Sequence, residues 1–324
     1  MSVRDEVLLK LEQHRGEFLS GQELAQELSV SRNAVWKAVA SLREQGYGIE
    51  AVTNRGYRLR EDGGIFSAQS VRRFLSPQDE WFTVETVEST TSTNTVLKER
   101  AAAGAPEGTV LIAEQQTGGR GRQGRTFSSP RGTGLYTSIL LRPKMQAEQA
   151  LFLTTAVAVA VAETIEEVSG RSAGIKWVND IWLDGLKVCG ILTEASFDLE
   201  AGGLEYAVVG WGINLAEPAG GFPEELRGIA GAVFDRIPDA ETKSRLAAGI
   251  LRRFRHYYET LGQKTFLKDY RERSILIGKE ITILGSGEEA FVLGIDDDCR
   301  LHVRLADGQE RYLSSGEVRV RPKT

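Results

Sequence analysis

Glycine and arginine alternate in one short segment, Thr-Gly-Gly-Arg-Gly-Arg-Gln-Gly-Arg, at residues 117–125. Arginine offers a permanent cation and a forked set of donors that suit phosphate and carboxylate groups. Glycine lets the backbone approach a ligand closely and present bare N–H groups to it. The segment therefore predicts a loop that binds an anionic ligand, and a flexible basic surface loop is the alternative.

Three of these glycines, Gly119, Gly121 and Gly124, also match the spacing of a dinucleotide-binding loop. That spacing has physical meaning only where the loop follows a strand and opens a helix. A strand is predicted before it at Thr109–Ala113, but the pattern of Gly134–Leu141 predicts another strand after it. No helix N-terminus would then be available for a pyrophosphate, so we exclude the dinucleotide interpretation.

A run of polar side chains, Ser-Thr-Thr-Ser-Thr-Asn at residues 89–94, precedes a predicted helix at Thr95–Ala103. One hydroxyl is enough to cap a helix, which is the simplest interpretation of such a run. Five hydroxyls in succession also predict hydrogen bonds to a neutral polar ligand. The same segment therefore serves as a cap, as a ligand site, or as both.

Further polar groups interrupt a predicted hairpin whose strands are Ile181–Leu183 and Leu186–Thr193. They are Lys176, Asn179, Asp180 and Lys187. Buried polar groups are costly unless they have partners. The pattern predicts a site for a phosphorylated ligand, with Lys187 as the cation and Asp180 as a carboxylate that helps to hold Mg²⁺. A surface hairpin with one salt bridge is the alternative.

Composition limits the class of protein. The chain has 324 residues, 41% of them hydrophobic, and a net charge of −5, so we expect two or three domains and no general attraction to nucleic acid. With Cys189 and Cys299 far apart and three histidines, no metal-ligand cluster is visible, and a reducing cytoplasm is expected. The most apolar run, Leu151–Ala162, is too short to cross a bilayer, and no membrane partner is expected.

The first sixty residues predict a winged helix-turn-helix. Helical spacing and caps place helices at Val3–His14, Gln22–Leu28 and Arg32–Gln45, followed by a hairpin around the turn Asn54-Arg55-Gly56. Residues 1–30 hold three basic and six acidic side chains, whereas residues 31–60 hold six basic and two acidic ones. This separation favours DNA binding over a role as a protein-interaction module, and a dimer on two half-sites is expected because a monomer of this size binds DNA weakly. The expected DNA contacts are Ser31, Arg32, Asn33, Trp36, Lys37 and Arg55.

The rest of the chain predicts two more domains, with boundaries at 1–62, 66–275 and 276–324. Strands and helices are interspersed in the middle domain and hairpins outnumber βαβ units, which predicts a mixed-sheet α+β fold. Short strands follow at Glu280–Leu284, Ala290–Ile295, Leu301–Leu305 and Glu310–Ser314, and their spacing predicts a small barrel. The fold class is therefore multidomain α+β.

The chain contains no visible nucleophile and base of the Ser-His type. Cations and hydrogen-bond donors predominate, which favours catalysis by positioning and charge stabilisation, as when a carboxylate attacks the α-phosphate of ATP. The sequence resembles the bifunctional biotin–protein ligases that also repress the biotin operon. The matching motifs are Ser92-Thr93-Asn94, Gln116, Gly119 to Arg125, Lys176 to Asp180, Lys187 to Gly190 and Gly212-Ile213-Asn214. The chain departs from the pattern at Val178, where many members carry proline, and at Phe127, where some carry tryptophan.

The resemblance implies a class II synthetase-like central domain and an SH3-like C-terminal barrel. It also implies that biotin and MgATP give biotinyl-5′-AMP, from which biotin passes to a lysine of the biotin carboxyl carrier domain of carboxylases. By this resemblance Arg120, Arg122, Lys187 and Asp180 are the catalytic residues, and Asp180 assists the metal. The residues that bind biotin and ATP would be Ser92, Thr93, Asn94, Gln116, Arg120, Gly121, Arg122, Lys187, Gly190 and Asn214.

The resemblance further implies that the adenylate is the corepressor. Its binding would order loops and so lower the entropic cost of forming the homodimer that occupies the operator. Three alternatives are a ligase with an inactive DNA module, a ligand-sensing repressor without catalysis, and a lipoate–protein ligase-like enzyme. The basic face at residues 31–60 disfavours the first, and the complete loop with Lys187 disfavours the second.

Overall fold

The computed structural model describes residues 2–60, 64–146, 149–198, 203–316 and 318–320. The chain divides into two compact units. The first comprises residues 1–86 and 238–249, and the second comprises residues 87–237 and 250–324. None of the described helices has both the length and the apolar character that crossing a bilayer requires.

Three helices and a two-stranded hairpin form the N-terminal part of the first unit. They are α1 (Val3–Gln13), α2 (Gly21–Glu27), α3 (Arg32–Glu44), β1 (Ile49–Val52) and β2 (Gly56–Leu59). The hydroxyls of Ser2, Ser20 and Ser31 each accept a backbone N–H from the first turn of the helix that follows. Leu11 and Leu42 are buried in the core between the helices. The predicted winged helix-turn-helix is confirmed.

The remainder of the first unit is built on α4 (Ala68–Arg72), most of β3 (Thr83–Val87) and the first half of α7 (Ala240–Glu259). The buried Ser244 hydroxyl donates to Ser70 Oγ at 2.8 Å and so joins α7 to α4. Arg72 on α4 donates to the carbonyl of Val84 on β3 at 2.9 Å. The acidic and glycine-containing segment 61–64 predicts a linker, and its first three residues lie outside the described residues.

A central sheet organises the second unit. Its strands are β4 (Thr109–Ala113), β5 (Gly134–Leu141), β6 (Gly174–Lys176), β7 (Asp180–Leu183), β8 (Leu186–Asp198) and β9 (Gly203–Asn214). With β3 at one edge, the order is β3-β4-β5-β9-β8-β7-β6. The pairs from β4 to β6 are antiparallel, whereas Thr90 and Gln116, just beyond β3 and β4, form a parallel bridge. The sheet is therefore mixed, as the sequence predicts.

Helices cover both faces of this sheet. On one face, α5 (Thr93–Ala102) packs Leu97 against Leu140 and Val208. On the other, α6 (Ala150–Ser169) is buried along most of its length, and Thr154 hydrogen-bonds Thr193 of β8 at 2.7 Å. The α5 helix starts two residues before the predicted start, because Ser92 takes the extended N-cap conformation. Thr93 and Asn94 therefore belong to the first helical turn.

Five short antiparallel strands form the C-terminal sheet, which follows the short helix α8 (Leu267–Glu272). They are β10 (Glu280–Ile283), β11 (Glu289–Ile295), β12 (Leu301–Leu305), β13 (Glu310–Leu313) and β14 (Val318–Val320), in the order β13-β12-β11-β10-β14. Leu301 and Val303 of β12 point into the core, while Arg304 is exposed. Trp177 donates its indole N–H to the Cys299 carbonyl at 2.9 Å and links this sheet to the central one. The predicted small β domain is confirmed, and β14 is the strand that the pattern missed.

Candidate functional site

Glycines form a floor on the central sheet. Gly190 of β8 lies opposite Gly212 of β9, and Gly210 lies two residues along the same strand and face. A Cβ built on Gly212 would lie 2.5 Å from Phe127 Cε1, and one built on Gly210 would lie 2.1 Å from Asn94 Oδ1. Only residues without a side chain therefore leave room above this part of the sheet for loop residues and a ligand.

A cavity of about 570 Å³ lies beside this floor, a size that suits a small molecule or nucleotide. The predicted site residues that line it are Arg120, Gly121, Arg122, Asp180, Lys187, Gly190 and Asn214. They come from the Gly-Arg loop and from three strands, β7, β8 and β9. The fold thus brings together cations and a carboxylate that are far apart in the sequence.

The Gly-Arg loop folds back on itself over the floor. Gly121 donates its backbone N–H to the Arg125 carbonyl at 2.7 Å, and Phe127 donates to the Gly119 carbonyl at 3.0 Å. Arg122 donates to Asn179 Oδ1 at 3.1 Å, which fastens the loop to the segment before β7. The loop then enters β5 rather than a helix, so the exclusion of a dinucleotide-binding loop is confirmed.

Lys187 and Asp180 face each other on neighbouring strands, with Lys187 Nζ 2.7 Å from Asp180 Oδ1. Although this is an ion pair, Oδ1 is buried and accepts no hydrogen bond of ordinary geometry. Lys187 is fixed through its backbone, because its N–H donates to the Ile229 carbonyl and its carbonyl accepts from Gly231 N–H, both at 2.8 Å. The lysine chain is therefore anchored at its base, while its ammonium group reaches the cavity.

A second, much smaller cavity of about 30 Å³ adjoins the first, and Arg120 and Phe127 line both. Its other predicted residues are Ser92, Thr93, Asn94 and Gln116. Gln116 Oε1 accepts from the backbone N–H of Thr93 at 2.8 Å, and Gln116 Nε2 donates to Ser129 Oγ at 3.0 Å. The hydroxyl run is thus more than a cap: Ser92, at the N-cap position, makes no capping hydrogen bond through its side chain.

Sequence analysis missed some residues that line the two cavities and part of what others do. Asn214 donates to the Gly231 carbonyl at 3.0 Å, so its amide braces the neighbouring loop at the wall of the cavity. Phe127 was noted only as a departure from a pattern, yet its ring separates the two cavities and lies edge-on to Tyr136. Phe222 and Ile229, which line the larger cavity, were not identified, because an irregular loop offers no periodic signal.

The predicted DNA-contacting residues lie in the first unit, at the start of α3 and in the wing. Ser31 caps α3, and Arg32, Asn33 and Lys37 on that helix are exposed. The side chain of Trp36 is 58% exposed, which is unusual for a large apolar group on a helix with a well-packed inner face. Arg55 in the wing is also exposed, and its guanidinium lies 4.1 Å from the centre of the Phe18 ring.

Three family models match this chain in order. Residues 3–58 match a helix-turn-helix domain, residues 86–214 match the biotin/lipoate A/B protein ligase family, and residues 276–321 match the biotin protein ligase C-terminal domain. The chain is 33% identical to the bifunctional ligase/repressor BirA of Bacillus subtilis, across 97% of this chain and 98% of that protein. The chain belongs to the family of bifunctional biotin–protein ligases.

Other members of the family support this assignment. BirA of Escherichia coli is 28% identical across 94% of both chains, and the biotin–[acetyl-CoA-carboxylase] ligase of Mycobacterium tuberculosis is 32% identical across 74% of this chain. Among solved structures, the biotin protein ligase from Aquifex aeolicus in complex with biotin and ATP is similar, with a TM-score of 0.62 and 28% identity. The match covers 74% of this chain and 99% of the Aquifex aeolicus chain.

Proposed function

We propose that this ligase joins biotin to ATP to form biotinyl-5′-AMP and then transfers biotin to a lysine of the biotin carboxyl carrier domain of carboxylases. With the adenylate bound, it forms a homodimer that represses biotin-synthesis genes. One observation carries the proposal: a small pocket in which Ser92, Thr93, Asn94 and Gln116 offer neutral hydrogen-bonding groups adjoins a cavity lined by Arg122 and Lys187, and Arg120 lines both. Biotin has the same division, with a neutral ureido ring at one end and a carboxylate at the other.

The ureido ring suits the smaller pocket. Gln116 has one amide hydrogen engaged by Ser129, so the other can donate to the ureido oxygen. Ser92, whose hydroxyl makes no capping bond, offers a second donor, and Thr93 Oγ1 offers an acceptor for a ureido N–H. The pocket as described is too small for the bicyclic ring, so Phe127 must move aside when biotin binds.

The first chemical step brings two anions together. A carboxylate oxygen of biotin attacks the α-phosphorus of ATP, a new C–O–P linkage forms, and the bond to the β-phosphate breaks with release of pyrophosphate. Charge accumulates on the α-phosphate oxygens as this happens. Arg120, Arg122 and Lys187 line the cavity, and cations in a partly enclosed site would stabilise such charge.

A magnesium ion that enters with ATP fits the donors at this site. Asp180 lines the cavity, where its buried Oδ1 also pairs with Lys187 at 2.7 Å, and a nucleotide-bound Mg²⁺ commonly takes one or two protein carboxylates. The described residues hold no cluster of three metal-ligating acidic, histidine or cysteine side chains, so the phosphates would supply most ligands. When bound, Mg²⁺ would neutralise charge on the departing pyrophosphate.

The second step transfers biotin to the carrier. The neutral amine of the carrier lysine attacks the acyl carbon, an amide bond forms, the bond to AMP breaks and a proton is released. A hydrogen bond from Arg122 to Asn179 joins the Gly-Arg loop to the segment before β7. Its release would admit the carrier lysine to the adenylate.

Repression rests on the first unit. Arg32, Asn33 and Lys37 form an exposed row at the start of α3, the helix that would enter the major groove, and Arg55 in the wing would meet phosphate. Two copies are needed to occupy two half-sites. Biotinyl-AMP would favour the dimer by ordering the loops that surround it.

The decisive experiment is pyrophosphate exchange. The chain is incubated with ATP, Mg²⁺ and labelled pyrophosphate, and exchange into ATP is compared with biotin and with lipoate. We expect exchange that depends on biotin and is much faster than with lipoate. The absence of exchange with biotin, or faster exchange with lipoate, would refute the assignment and favour the lipoate–protein ligase-like alternative.

A further inference from the structure

An ion pair between Lys98 and Glu194 lies next to Asn94, which lines the smaller cavity. Lys98 and Asn94 are one turn apart on the same face of α5, and both reach Glu194 of β8. Lys98 Nζ pairs with Glu194 Oε1, and Asn94 Nδ2 donates to Glu194 Oε2 at 2.9 Å. The two oxygens of this one carboxylate therefore serve two different donors.

The carboxylate determines how the Asn94 amide is oriented. Asn94 is buried, and its NH₂ group donates both to Glu194 and to the Leu192 carbonyl at 3.2 Å. Both partners accept only, so the amide oxygen must point the other way. There it lies 2.6 Å from Ser138 Oγ, whose hydroxyl donates to it.

This orientation extends to the ligand-facing groups. Ser138 Oγ is 2.7 Å from Thr93 Oγ1, which is itself 3.1 Å from Gln116 Oε1. The proton of Ser138 is directed to Asn94. The hydroxyl proton of Thr93 is therefore donated to one of its own neighbours, Ser138 Oγ or Gln116 Oε1, and not to the pocket. Thr93 Oγ1 is left with a lone pair for the pocket, and Gln116 keeps its amide N–H groups on the Ser129 side.

Glu194 is held in its ionised form. Partial burial alone would raise the pKa of this carboxyl, but hydrogen bonds from Lys98 and Asn94, with the charges of Lys98 and Arg120, hold its pKa below the usual range. An ionised carboxylate can accept and cannot donate, so it imposes one direction on every hydrogen bond that follows.

We propose that Glu194, with Lys98 as its counterion, is a positioning residue that sets the donor and acceptor pattern of the biotin pocket through Asn94, Ser138 and Thr93. It touches neither biotin nor ATP. The inference rests on the proposed placement of the ureido ring in this pocket and adds to it the residue that makes the pocket selective for a ureido oxygen between two N–H groups.

Glu194→Gln tests this inference, because a glutamine side chain has a single acceptor oxygen, whereas Lys98 and Asn94 each need one. The oxygen turns to Lys98, the NH₂ group then meets the NH₂ group of Asn94, and the network loses its direction. We expect the KM for biotin in pyrophosphate exchange to rise about 10- to 100-fold, the effect of leaving a buried polar group unsatisfied. The kcat should change less than threefold.

The double variant Lys98→Met/Glu194→Gln separates positioning from structure. Without the lysine, the glutamine oxygen is free to accept from Asn94, so the original direction returns. We expect the biotin KM of the double variant to fall back to within about fivefold of the wild-type value, as should that of Lys98→Met alone. Lys268→Met, at an exposed lysine, is the matched control. A double variant as poor as Glu194→Gln, or a normal KM for Glu194→Gln, would overturn the inference.

Two further measurements complete the design. The affinity ratio of biotin to 2-iminobiotin, in which a hydrogen-bearing nitrogen replaces the ureido oxygen, should fall in Glu194→Gln and recover in the double variant. A ratio that stays constant in both variants contradicts the proposal. Gln116→Ala separates the placement of biotin in the smaller cavity from the positioning role of Glu194. If Gln116→Ala leaves the biotin KM unchanged, the placement of biotin is wrong. If Gln116→Ala raises KM and Glu194→Gln does not, only the role of Glu194 fails.

Discussion

Lys187 is joined to Asp180 across the β7–β8 hairpin, and its backbone is held by Ile229 and Gly231. This double attachment distinguishes it from surface lysines, whose ammonium groups sample many positions. A cation held in this way can stabilise the transition state without being ordered during the reaction. Its contribution is therefore expected in the rate of adenylation.

Lys187→Ala should slow biotin-dependent pyrophosphate exchange about 100- to 1,000-fold, the usual cost of losing one preorganised group that stabilises developing charge. The Tm of the protein should change little, because the side chain is partly exposed. Lys268→Ala, whose side chain is 81% exposed, serves as the control. An exchange rate within threefold of wild type would mean that the lysine does not act on the reacting phosphate.

At this scale the sequence predicted the charged residues well and the supporting residues poorly. Arg120, Arg122 and Lys187 stand out because cations beside glycine or inside apolar strands are unusual. Ser138 and Glu194 do not stand out, since each follows a threonine within its strand and belongs to none of the motifs singled out from the sequence. Their role depends on the register of β5, β9 and β8, which the sequence of any one strand does not contain.

At the scale of elements, the close packing over the glycine floor of β8 and β9 predicts the effect of Gly210→Ala. In Gly210→Ala the new Cβ would meet Asn94 Oδ1 at 2.1 Å and Ser138 Oγ at 2.9 Å, both in a buried network that has little room to move. We expect the biotin KM to rise at least about tenfold, and stability to fall by about 1–3 kcal/mol, as in other overpacked sites.

Gly212→Ala should have a smaller effect on stability, because the atom it meets belongs to the ring of Phe127, which can turn away. Gly220→Ala is the matched control, since a Cβ there would have no neighbour within 4 Å. Pyrophosphate-exchange kinetics rank the three variants by biotin KM, and urea denaturation ranks them by free energy of unfolding. A Gly210→Ala protein that matches Gly220→Ala in both measurements would contradict the close packing described here.

The start of α7 gives a prediction about pH. Asp239 Oδ1 accepts from the backbone N–H of Thr242 at 2.7 Å, and this hydrogen bond lowers the pKa of the carboxyl below its ordinary value of 3.8. A lowered pKa in the folded state stabilises the protein above the ordinary pKa, and the stabilisation is lost as the pH falls through the folded pKa.

Asp239→Ala should lower the free energy of unfolding at pH 7 by about 1 kcal/mol, the usual cost of removing a helix cap. Asp239→Asn keeps an oxygen acceptor but does not titrate, so its difference from wild type should shrink as the pH falls from 7 through the lowered pKa of Asp239. Urea denaturation at pH 7 and at pH 3 measures both. An alanine variant as stable as wild type at pH 7 would show that this carboxylate does not cap α7.

Most element bounds followed from the sequence because periodicity, caps and turn residues agree, as at β4, β12 and the three N-terminal helices. The misses have physical causes. The strands β6 and β14 have only three residues each, too few for a periodic signal. The strand β8 ends at Asp198 rather than at the predicted Thr193, since polar residues such as Glu194 and Ser196 continue a strand whose pairing with β9 the sequence does not reveal.

For the molecule as a whole, the separation of charge between residues 1–30 and 31–60 predicts a DNA-binding surface in the first unit. Arg32→Glu/Lys37→Glu reverses two exposed cations on α3. Affinity for a duplex selected from a random library by the wild-type protein with biotin and ATP should fall at least about 100-fold, and its salt dependence should weaken.

The same variant should keep its rate of pyrophosphate exchange, because α3 contributes no residue to the cavity in the second unit. Fluorescence anisotropy and exchange measured on one preparation give both results. Normal DNA affinity would favour a protein-interaction role for the winged helix. A matched loss of exchange would mean that the reversal has damaged the fold rather than the DNA contact.

The glycine floor also constrains how this enzyme can diversify. Every substitution at Gly190, Gly210 or Gly212 adds atoms, so mutation can make the cleft shallower but never deeper. Acceptance of a bulkier cofactor must therefore arise in the walls, through residues such as Phe127, Leu192 or the loop that carries Phe222. Lineages that change ligand should accordingly keep the floor and vary around it, and a library for altering specificity is best restricted to those wall positions.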